Sequence, residues 1–520
     1  MPTTASWPRP FPLGDIDAYR DGALLYSCFV SKVPFFEEFG APDYLFLAGK
    51  RGSGKSATVL KLHHDDPPNT VLISWHDTAR DHFDYFDAFL AELIQVREYT
   101  YKGIWDALRP SLFFKATWKY VIHVAVMRHL APPGRFYLDH TDAGTVYSFL
   151  RNKGLHDKGP FQVFQGFLKQ LAGFADLDPR SEQIGKILGS LEGLLNDPEY
   201  REAVEAAERL ADRLENPLTL LIDAILDRVV SNDEMLIASV AALMEAVWEM
   251  QPYGEKEMVR IKCTIPGEAF ERLQHFDILK FSTHTVFTRW TLERLREFIE
   301  RRLRAAPEEV VGAGDTRRDV WSSLFPAEIT NRKGFAESSF AYMCRHTHYF
   351  PREILLTTTR LLDFRERHAA VGPEDFARLV HSASDESAAE CLARAELFYP
   401  GIRAAFAALR DAKRLLLHAE VLAILRREMG SGNHTVWLDT LVEIGILGVV
   451  REPVRSDGKL PVSFAHSAKA LPLYNRRSVF AIHPMFYGKL GTDTTGDGYV
   501  WPEPFWDGLG DPPAGSPPPD

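Results

Sequence analysis

The chain has 520 residues, which is enough for two to four domains and a large hydrophobic core. Its charged fraction of 25% and formal net charge of −11 are those of an ordinary globular protein, and they exclude a polycation built for nucleic acid. The four cysteines are scattered without metal-ligand spacing, the N-terminus shows no secretory signal, and no apolar run approaches about 18 residues. These features predict a cytoplasmic protein with reduced thiols and no membrane span.

Residues 1–14 are rich in proline, residues 1–20 are expected to be flexible, and the first motif follows them. From Tyr44 an apolar run leads into the pattern G-x-x-x-x-G-K-S, ahead of a helix-forming stretch. A buried strand followed by this pattern and a helix is the setting of a phosphate-binding P-loop. Lys55 is expected to reach the β- and γ-phosphates of ATP, and Ser56 to ligate Mg²⁺. The residues expected to bind the nucleotide are Gly49, Lys50, Arg51, Gly52, Ser53, Gly54, Lys55, Ser56 and Ala57.

A short strand and a long helical block come next. The stretch TVLISW at 70–75 predicts a second buried strand, and residues 80–215 are almost wholly helical in pattern. Apolar residues such as Trp118 and Ile122 recur there at helical spacing, which indicates a packed core. Because the block separates the P-loop from the next strand, we interpret it as a helical insertion in an ATPase domain that spans 21–304.

The second anchor is LTLLID at 218–223, an apolar strand that ends in an acid. A carboxylate at the end of such a strand can reach the magnesium shell, so Asp223 is expected to hold Mg²⁺ together with Ser56. Ala224 follows, where many hydrolytic ATPases keep an acid that activates water. Three interpretations stay open: Asp227 takes that role, hydrolysis is slow, or Asp227 belongs to a solvated loop.

Strands and helices alternate up to about residue 304, which predicts an α/β fold with a doubly wound, mostly parallel sheet. Residues 305–395 are predicted to form an all-helical lid on this P-loop NTPase domain. Within them Pro351 stands at a helix start, with Arg352 just inside the helix. Arg352 is expected either to reach the γ-phosphate from the lid or to lie on the helix surface.

The last folded region is predicted at 396–490, where helices are followed by short strands, the outline of a winged helix. Gly445 is expected to close a helix ahead of the first strand. Between 401 and 490 there are 13 basic and 7 acidic residues, a net charge of +6, which favours DNA or another acidic partner. The alternative is that a basic winged helix packs on an acidic ATPase domain. Residues 491–520 carry six acids and many prolines and glycines, and they are predicted to be a disordered tail.

Several of these segments, in this order, resemble one family of bacterial P-loop ATPases close to the STAND and KAP types, in the AAA-like ASCE division. The similarity covers roughly 20–490 and is carried by FLAGKRGSGKSA, LLID, WTLERLREFIERRL, FPREI, EIGILGV and IHPMF. The resemblance implies a parallel sheet with a central P-loop strand, a helical lid, a C-terminal winged helix and a setting in defence or conflict signalling. Two departures, Pro266–Gly267 in place of a polar sensor and Ala224 after Asp223, favour slow turnover.

The sequence therefore predicts an ATP- and Mg²⁺-dependent ATPase that works as a slow nucleotide-dependent switch and senses ATP against ADP. A DNA-loading ATPase like the archaeal origin-recognition proteins is the first alternative, and a scaffold that binds ATP structurally is the second. DNA or a protein is expected to contact the basic winged-helix region, and homo-oligomers are compatible with the resemblance.

Overall fold

A computed structural model describes residues 13–74, 110–134, 137–138, 140–158, 196–223, 233–251, 256–273, 278–306, 319–330, 334–368, 370–430, 432–466, 472–492 and 498–503. The chain divides into two compact units. The parallel-sheet unit contains the described parts of 35–50 and 55–288. The C-terminal unit contains those of 1–34, 51–54 and 289–520, so that four residues of the P-loop belong to it.

Strands are short throughout the described residues. In chain order they are β1 (Phe46–Gly49), β2 (Thr70–Ser74), β3 (Leu218–Asp223), β4 (Val259–Pro266), β5 (Thr285–Phe287), β6 (Glu328–Thr330), β7 (Ala336–Ser338), β8 (Leu415–Leu417), β9 (Leu447–Val450), β10 (Lys459–Ser463), β11 (Val479–Ile482) and β12 (Tyr499–Pro502).

Helices make up most of the remaining described structure. They are α1 (Ala23–Ser27), α2 (Pro34–Gly40), α3 (Lys55–Asp65), α4 (Pro110–Leu130), α5 (Asp142–Asn152), α6 (Pro198–Ala211), α7 (Asp233–Glu249), α8 (Gly267–Arg272), α9 (Ile278–Ser282), α10 (Leu292–Ala305), α11 (Val320–Leu324), α12 (Ser339–Arg345), α13 (Pro351–His368), α14 (Pro373–Phe398), α15 (Ile402–Ala408), α16 (His418–Met429), α17 (His434–Ile444) and α18 (Tyr487–Leu490).

The parallel-sheet unit is organised around a five-stranded sheet of order β2-β3-β4-β1-β5 in which every neighbouring pair is parallel. This confirms the α/β fold class predicted from the alternating pattern. Strands of such sheets are covered on both faces, and for that reason they read in the sequence as continuous apolar runs. Leu47 of β1 and Leu220 of β3 are fully buried. Since all strands run the same way, the carboxyl ends of β1, β3 and β4 lie along one edge of the sheet.

Helices α4, α5 and α6 lie between β2 and β3 in the chain, as the sequence predicts for the described part of 80–215. The Trp118 and Ile122 side chains of α4 are fully buried. Helix α6 begins where the Asp197 carboxylate accepts the Glu199 N–H at 3.0 Å, with Pro198 in the first helical position. The apolar residues that recur at helical spacing in this block therefore form a packed core.

The first part of the C-terminal unit departs from the all-helical prediction for 305–395. Helices α11 to α14 are present, but β6 and β7 pair there as an antiparallel hairpin. Glu337 of β7 and Arg345 of α12 are buried together, with Arg345 Nε 2.9 Å from the carboxylate. Each strand has three residues. A strand of this length is too short to show a period-two pattern, so the hairpin depends on its tertiary contacts.

The second part of the C-terminal unit holds a five-stranded sheet of order β12-β10-β9-β11-β8. Gly445 ends α17 with φ of +90° and β9 follows, as predicted from the sequence. Strand β12 lies within the predicted disordered tail and pairs with β10 in parallel, so that prediction is wrong for 499–502. The Arg414 guanidinium donates a hydrogen bond at 2.6 Å to the carbonyl of Gly498, the residue directly before β12. A four-residue apolar segment gains its structure from this pairing although its surroundings are rich in proline and glycine.

No helix in the described part of the chain is both long and apolar enough to cross a membrane. All four cysteines are free thiols, and three of them are buried.

Candidate functional site

The predicted P-loop connects β1 to α3 and depends on two glycines with left-handed backbone conformations. Gly52 has φ of +83° and Gly54 has φ of +102°. A side chain at Gly52 would also place its Cβ 2.9 Å from the Cβ of Arg352, closer than real Cβ atoms approach each other. Only glycine meets both conditions without strain. The loop conformation is thus the one that the glycine spacing in the sequence predicts.

Lys55 is the first residue of α3, and its side chain turns back over the loop. Its Nζ donates to the carbonyl oxygens of Gly49 at 2.7 Å and Lys50 at 3.2 Å. Ser56 follows in the first turn of the helix, where the helix dipole favours an anion. Both side chains predicted to contact phosphate and metal therefore stand at the start of α3.

Asp223 is the last residue of β3, and it is 1% exposed. One of its carboxylate oxygens, Oδ1, accepts a hydrogen bond from the Thr264 hydroxyl at 2.7 Å. Thr264 lies on β4, which separates β3 from β1, and it pairs in register with Leu47. The hydroxyl of the intervening strand therefore orients the carboxylate that the sequence assigns to magnesium.

Loop residues 51–54 make a second set of contacts within the C-terminal unit. The indole Nε1–H of Trp290 donates to the Ser53 carbonyl at 2.8 Å. The backbone N–H of Arg352 faces the Gly52 carbonyl at 3.4 Å. Ser53 and Trp290 are buried, so this side of the loop packs against an aromatic side chain and is shielded from solvent.

Arg352 stands in the first turn of α13, as predicted, and shares an acidic partner with the loop. Its guanidinium lies 3.3 Å from the Glu390 carboxylate, and the Arg51 guanidinium lies 3.6 Å from the same carboxylate. Glu390 is half-exposed, which makes each of these ion pairs weak. The neighbouring Glu353 is largely shielded from solvent, and desolvation raises its pKa to about 8. Arg352 is thus held beside the loop by a contact that an anionic ligand can replace.

The predicted site residues take the following positions in the structure. The loop residues follow β1, Asp223 ends β3 on the same edge of the sheet, and Arg352 contacts Gly52. Asp227 lies outside the described residues.

Sequence reasoning missed Thr264, Trp290 and Glu390 as members of the site. The threonine stands inside a strand pattern, and only the register of β3 against β4 brings it to Asp223. The tryptophan offered a signal, because it stands three residues after the end of β5, the strand that neighbours β1.

Known proteins show distant similarities. No protein-family model matches the chain, and no curated protein matches it. The chain is similar in structure to the Walker-type ATPase of Pyrococcus abyssi, with 11% identity and a TM-score of 0.38, covering 89% of this chain and 96% of that chain. It is also similar to the ORC2 protein of Aeropyrum pernix, with 10% identity and a TM-score of 0.28, covering 86% of this chain and 85% of that chain. Similarities at this level establish neither a family nor an activity.

Proposed function

We propose that this chain binds ATP with Mg²⁺ and hydrolyses it slowly, as a nucleotide-dependent switch of the AAA/STAND-like type. One observation carries the proposal. A loop whose conformation requires glycine follows β1, the buried carboxylate of Asp223 ends β3, and both lie at the same edge of a parallel sheet. Strand β4 lies between these two strands, which is the arrangement expected of the ASCE division that the sequence resembles. Phosphate and magnesium ligands in P-loop proteins come from these two strand ends.

Each residue has a role in this proposal. Backbone N–H groups of the loop bind the phosphates, and Lys55 exchanges its two carbonyl contacts for phosphate oxygens. Ser56 and Asp223 hold Mg²⁺, which supplies positive charge at the β- and γ-phosphate oxygens when it is bound. The Thr264 hydroxyl keeps the Asp223 carboxylate in one orientation.

Recognition of the γ-phosphate is assigned to Arg352 and Asp227. Arg352 would exchange its contact with Glu390 for the third phosphate, so that ATP and ADP leave the two side chains in different states. Asp227 would orient the attacking water. Because Ala224 occupies the position directly after Asp223, turnover is expected to be slow, as suits a switch.

The test compares Lys55→Ala with Lys61→Ala in full-length protein. Both changes remove one lysine from α3, but Lys61 pairs with Asp65 four residues on in the same helix. Lys55→Ala is expected to abolish ATP binding measured by calorimetry, whereas Lys61→Ala keeps wild-type affinity. Asp223→Ala should weaken hydrolysis that depends on Mg²⁺ and leave ATP binding in EDTA intact. Unchanged affinity in Lys55→Ala would refute the P-loop assignment.

The same preparations test the γ-phosphate roles. Arg352→Ala and Asp227→Asn are expected to reduce turnover, and Arg352→Ala should also reduce the preference for ATP over ADP. If both variants keep wild-type turnover and discrimination, these two residues are structural.

A second part of the proposal concerns residues 396–490, which we interpret as a winged helix. Helices α15, α16 and α17 are followed by strands, and β8, β11 and β9 pair in that order. In such domains the last helix reads DNA in the major groove. Helix α17 contains no lysine or arginine, and its two acids, Asp439 and Glu443, accept hydrogen bonds from Tyr474 and Tyr399. A helix of this charge disfavours phosphate contact, so we propose a protein partner for this region ahead of DNA.

Size measurement and ATP turnover with and without duplex DNA separate the remaining functions. A switch in defence or conflict signalling is expected to change its oligomeric state or exchange protection between ATP and ADP. Stimulation of turnover by DNA would support the DNA-loading alternative, and tight ATP binding without any turnover or conformational change would support a scaffold.

A further inference from the structure

Three histidines from distant parts of the sequence meet in the C-terminal unit. His348 precedes α13, His466 follows β10 and His483 follows β11. The ring centroids of His348 and His466 are 4.7 Å apart, those of His348 and His483 5.1 Å, and those of His466 and His483 4.9 Å. One nitrogen from each ring lies within 4.8 Å of the others. Three mutually adjacent imidazoles can offer three nitrogen ligands to one metal ion.

The spacing of the rings fits one shared ion. Imidazoles that bind Zn²⁺ at about 2.0–2.1 Å in tetrahedral geometry have centroids roughly 5 Å apart. Two of the nitrogens also converge on a single point. A Cβ built on Gly445 would lie 3.3 Å from Nδ1 of His466 and 3.8 Å from Nε2 of His348. Gly445, with φ of +90°, therefore leaves open the small volume that these nitrogens face.

The groups behind two of the rings orient them toward this volume. The carboxylate of Glu353 lies 3.8 Å from Nδ1 of His348, and the backbone N–H of Met485 donates to Nδ1 of His483 at 3.1 Å. Nε2 of His348 is the nitrogen that lies near Gly445, and Nε2 is the nitrogen of His483 that this contact leaves for a ligand. Nε2 of His483 is buried and makes no hydrogen bond to any described residue. A carboxylate commonly supports a metal-binding histidine in this outer position, as Glu353 is placed to do for His348.

Binding at Nε2 of His483 has a defined proton balance. While Nδ1 accepts the Met485 N–H, the neutral ring carries its proton on Nε2. Binding of a cation moves that hydrogen to Nδ1 and breaks the Met485 contact, with no net change in protonation. The loss of one hydrogen bond between neutral groups is small beside the formation of three metal–nitrogen bonds.

The chemistry of the surroundings selects the class of ion. The three ligands are neutral imidazoles, which suit zinc, copper and nickel and not the oxygen-seeking magnesium or calcium. Phe464 lies 4.6 Å from the His483 ring and Phe486 lies 6.0 Å from the His348 ring, measured between centroids. This apolar shell limits competition from water for the ring nitrogens.

We propose that His348, His466 and His483 bind one divalent late-transition-metal ion, for which Zn²⁺ is the probe. The ion ties the segment ahead of α13 to the ends of β10 and β11. Arg352 lies four residues after His348, so the metal fixes the chain that carries this arginine. The site uses none of the nucleotide-binding residues, and its metal affinity is independent of the P-loop.

The experiment titrates chelator-treated, full-length protein with Zn²⁺ in competition with a coloured chelator, and with Co²⁺ followed by its visible ligand-field absorption. The expected result is one ion per chain, tetrahedral-type Co²⁺ bands and a higher melting temperature with Zn²⁺. His466→Ala, at the most accessible of the three ligands, should lower Zn²⁺ affinity by more than about 100-fold, beyond the loss usual for outer-shell changes. His368→Ala removes an exposed histidine at the end of α13 and should leave the affinity unchanged.

Two further variants make the result decisive. His483→Gln keeps a side chain of similar polarity and should also abolish tight binding, and Lys55→Ala should bind Zn²⁺ as the wild type does. Circular dichroism confirms that each variant is folded. Absence of Zn²⁺ binding by the wild type, or wild-type affinity in folded His466→Ala and His483→Gln, would overturn the proposal.

Discussion

Replacing Thr264 with valine removes one hydroxyl group from the centre of the parallel sheet and keeps the shape of the side chain. That hydroxyl donates to Oδ1 of Asp223 at 2.7 Å, and both residues are 1% exposed. A hydrogen bond to a charged group contributes about 1.5–3 kcal/mol, and each 1.4 kcal/mol is a factor of about ten in an equilibrium constant. If the hydroxyl holds the carboxylate in its magnesium-binding orientation, Thr264→Val lowers the affinity for Mg·ATP by about tenfold or more.

The assay is calorimetric binding of ATP with excess Mg²⁺ and again with EDTA. Because the proposed role of Asp223 acts on the nucleotide through the metal, the loss is expected with Mg²⁺, whereas affinity in EDTA stays within about twofold. Thr264→Ser keeps a hydroxyl and is the matched control, expected to bind almost as the wild type does. Equal Mg·ATP affinity in Thr264→Val and wild type would refute the idea that this hydroxyl orients the carboxylate. An equal loss with and without Mg²⁺ would show that the effect is structural.

Two further predictions concern regions outside the sheet edge. Burial lowers the pKa of His123 to about 3, so folding favours the neutral ring. The free energy of unfolding is therefore highest above the ordinary histidine pKa and falls as the pH drops toward 3. Since the ring keeps some exposure, we expect the free energy of unfolding to fall by about 1 kcal/mol per pH unit below pH 6.5. His123→Asn should flatten that loss in hydrogen exchange of α4 amides, and an unchanged slope would contradict it. Removal of 504–520 leaves β12 intact and deletes three acids. If Arg476 and Arg477 contact phosphate, this removal should increase DNA binding and make it more dependent on salt. Reversal of both arginines to glutamate should cancel the gain. Absent or salt-insensitive binding in both the full-length and the shortened protein would leave a protein partner as the ligand of this region.

The sequence alone determined the parts of the protein whose physics is local. Gly52 and Gly54 appear at the positions that need a left-handed backbone, Gly445 ends a helix, and apolar runs predict buried strands because parallel strands are covered on both faces. The P-loop and Asp223 could therefore be located from short patterns, each contained within a few consecutive residues. The helical character of the insertion followed in the same way from the spacing of apolar residues such as Trp118.

Tertiary structure decided everything that depends on which distant segments meet. Thr264 contacts Asp223 only because β4 pairs with β3 in one register, and a shift of one residue would turn the hydroxyl to the other face. Strand β12 forms because β10 offers it an edge, although the composition of the surrounding tail predicts disorder. The three histidines lie in segments whose sequences give no common signal. Pairing register and long-range contacts are set by the combined packing of all elements, and no local pattern encodes them.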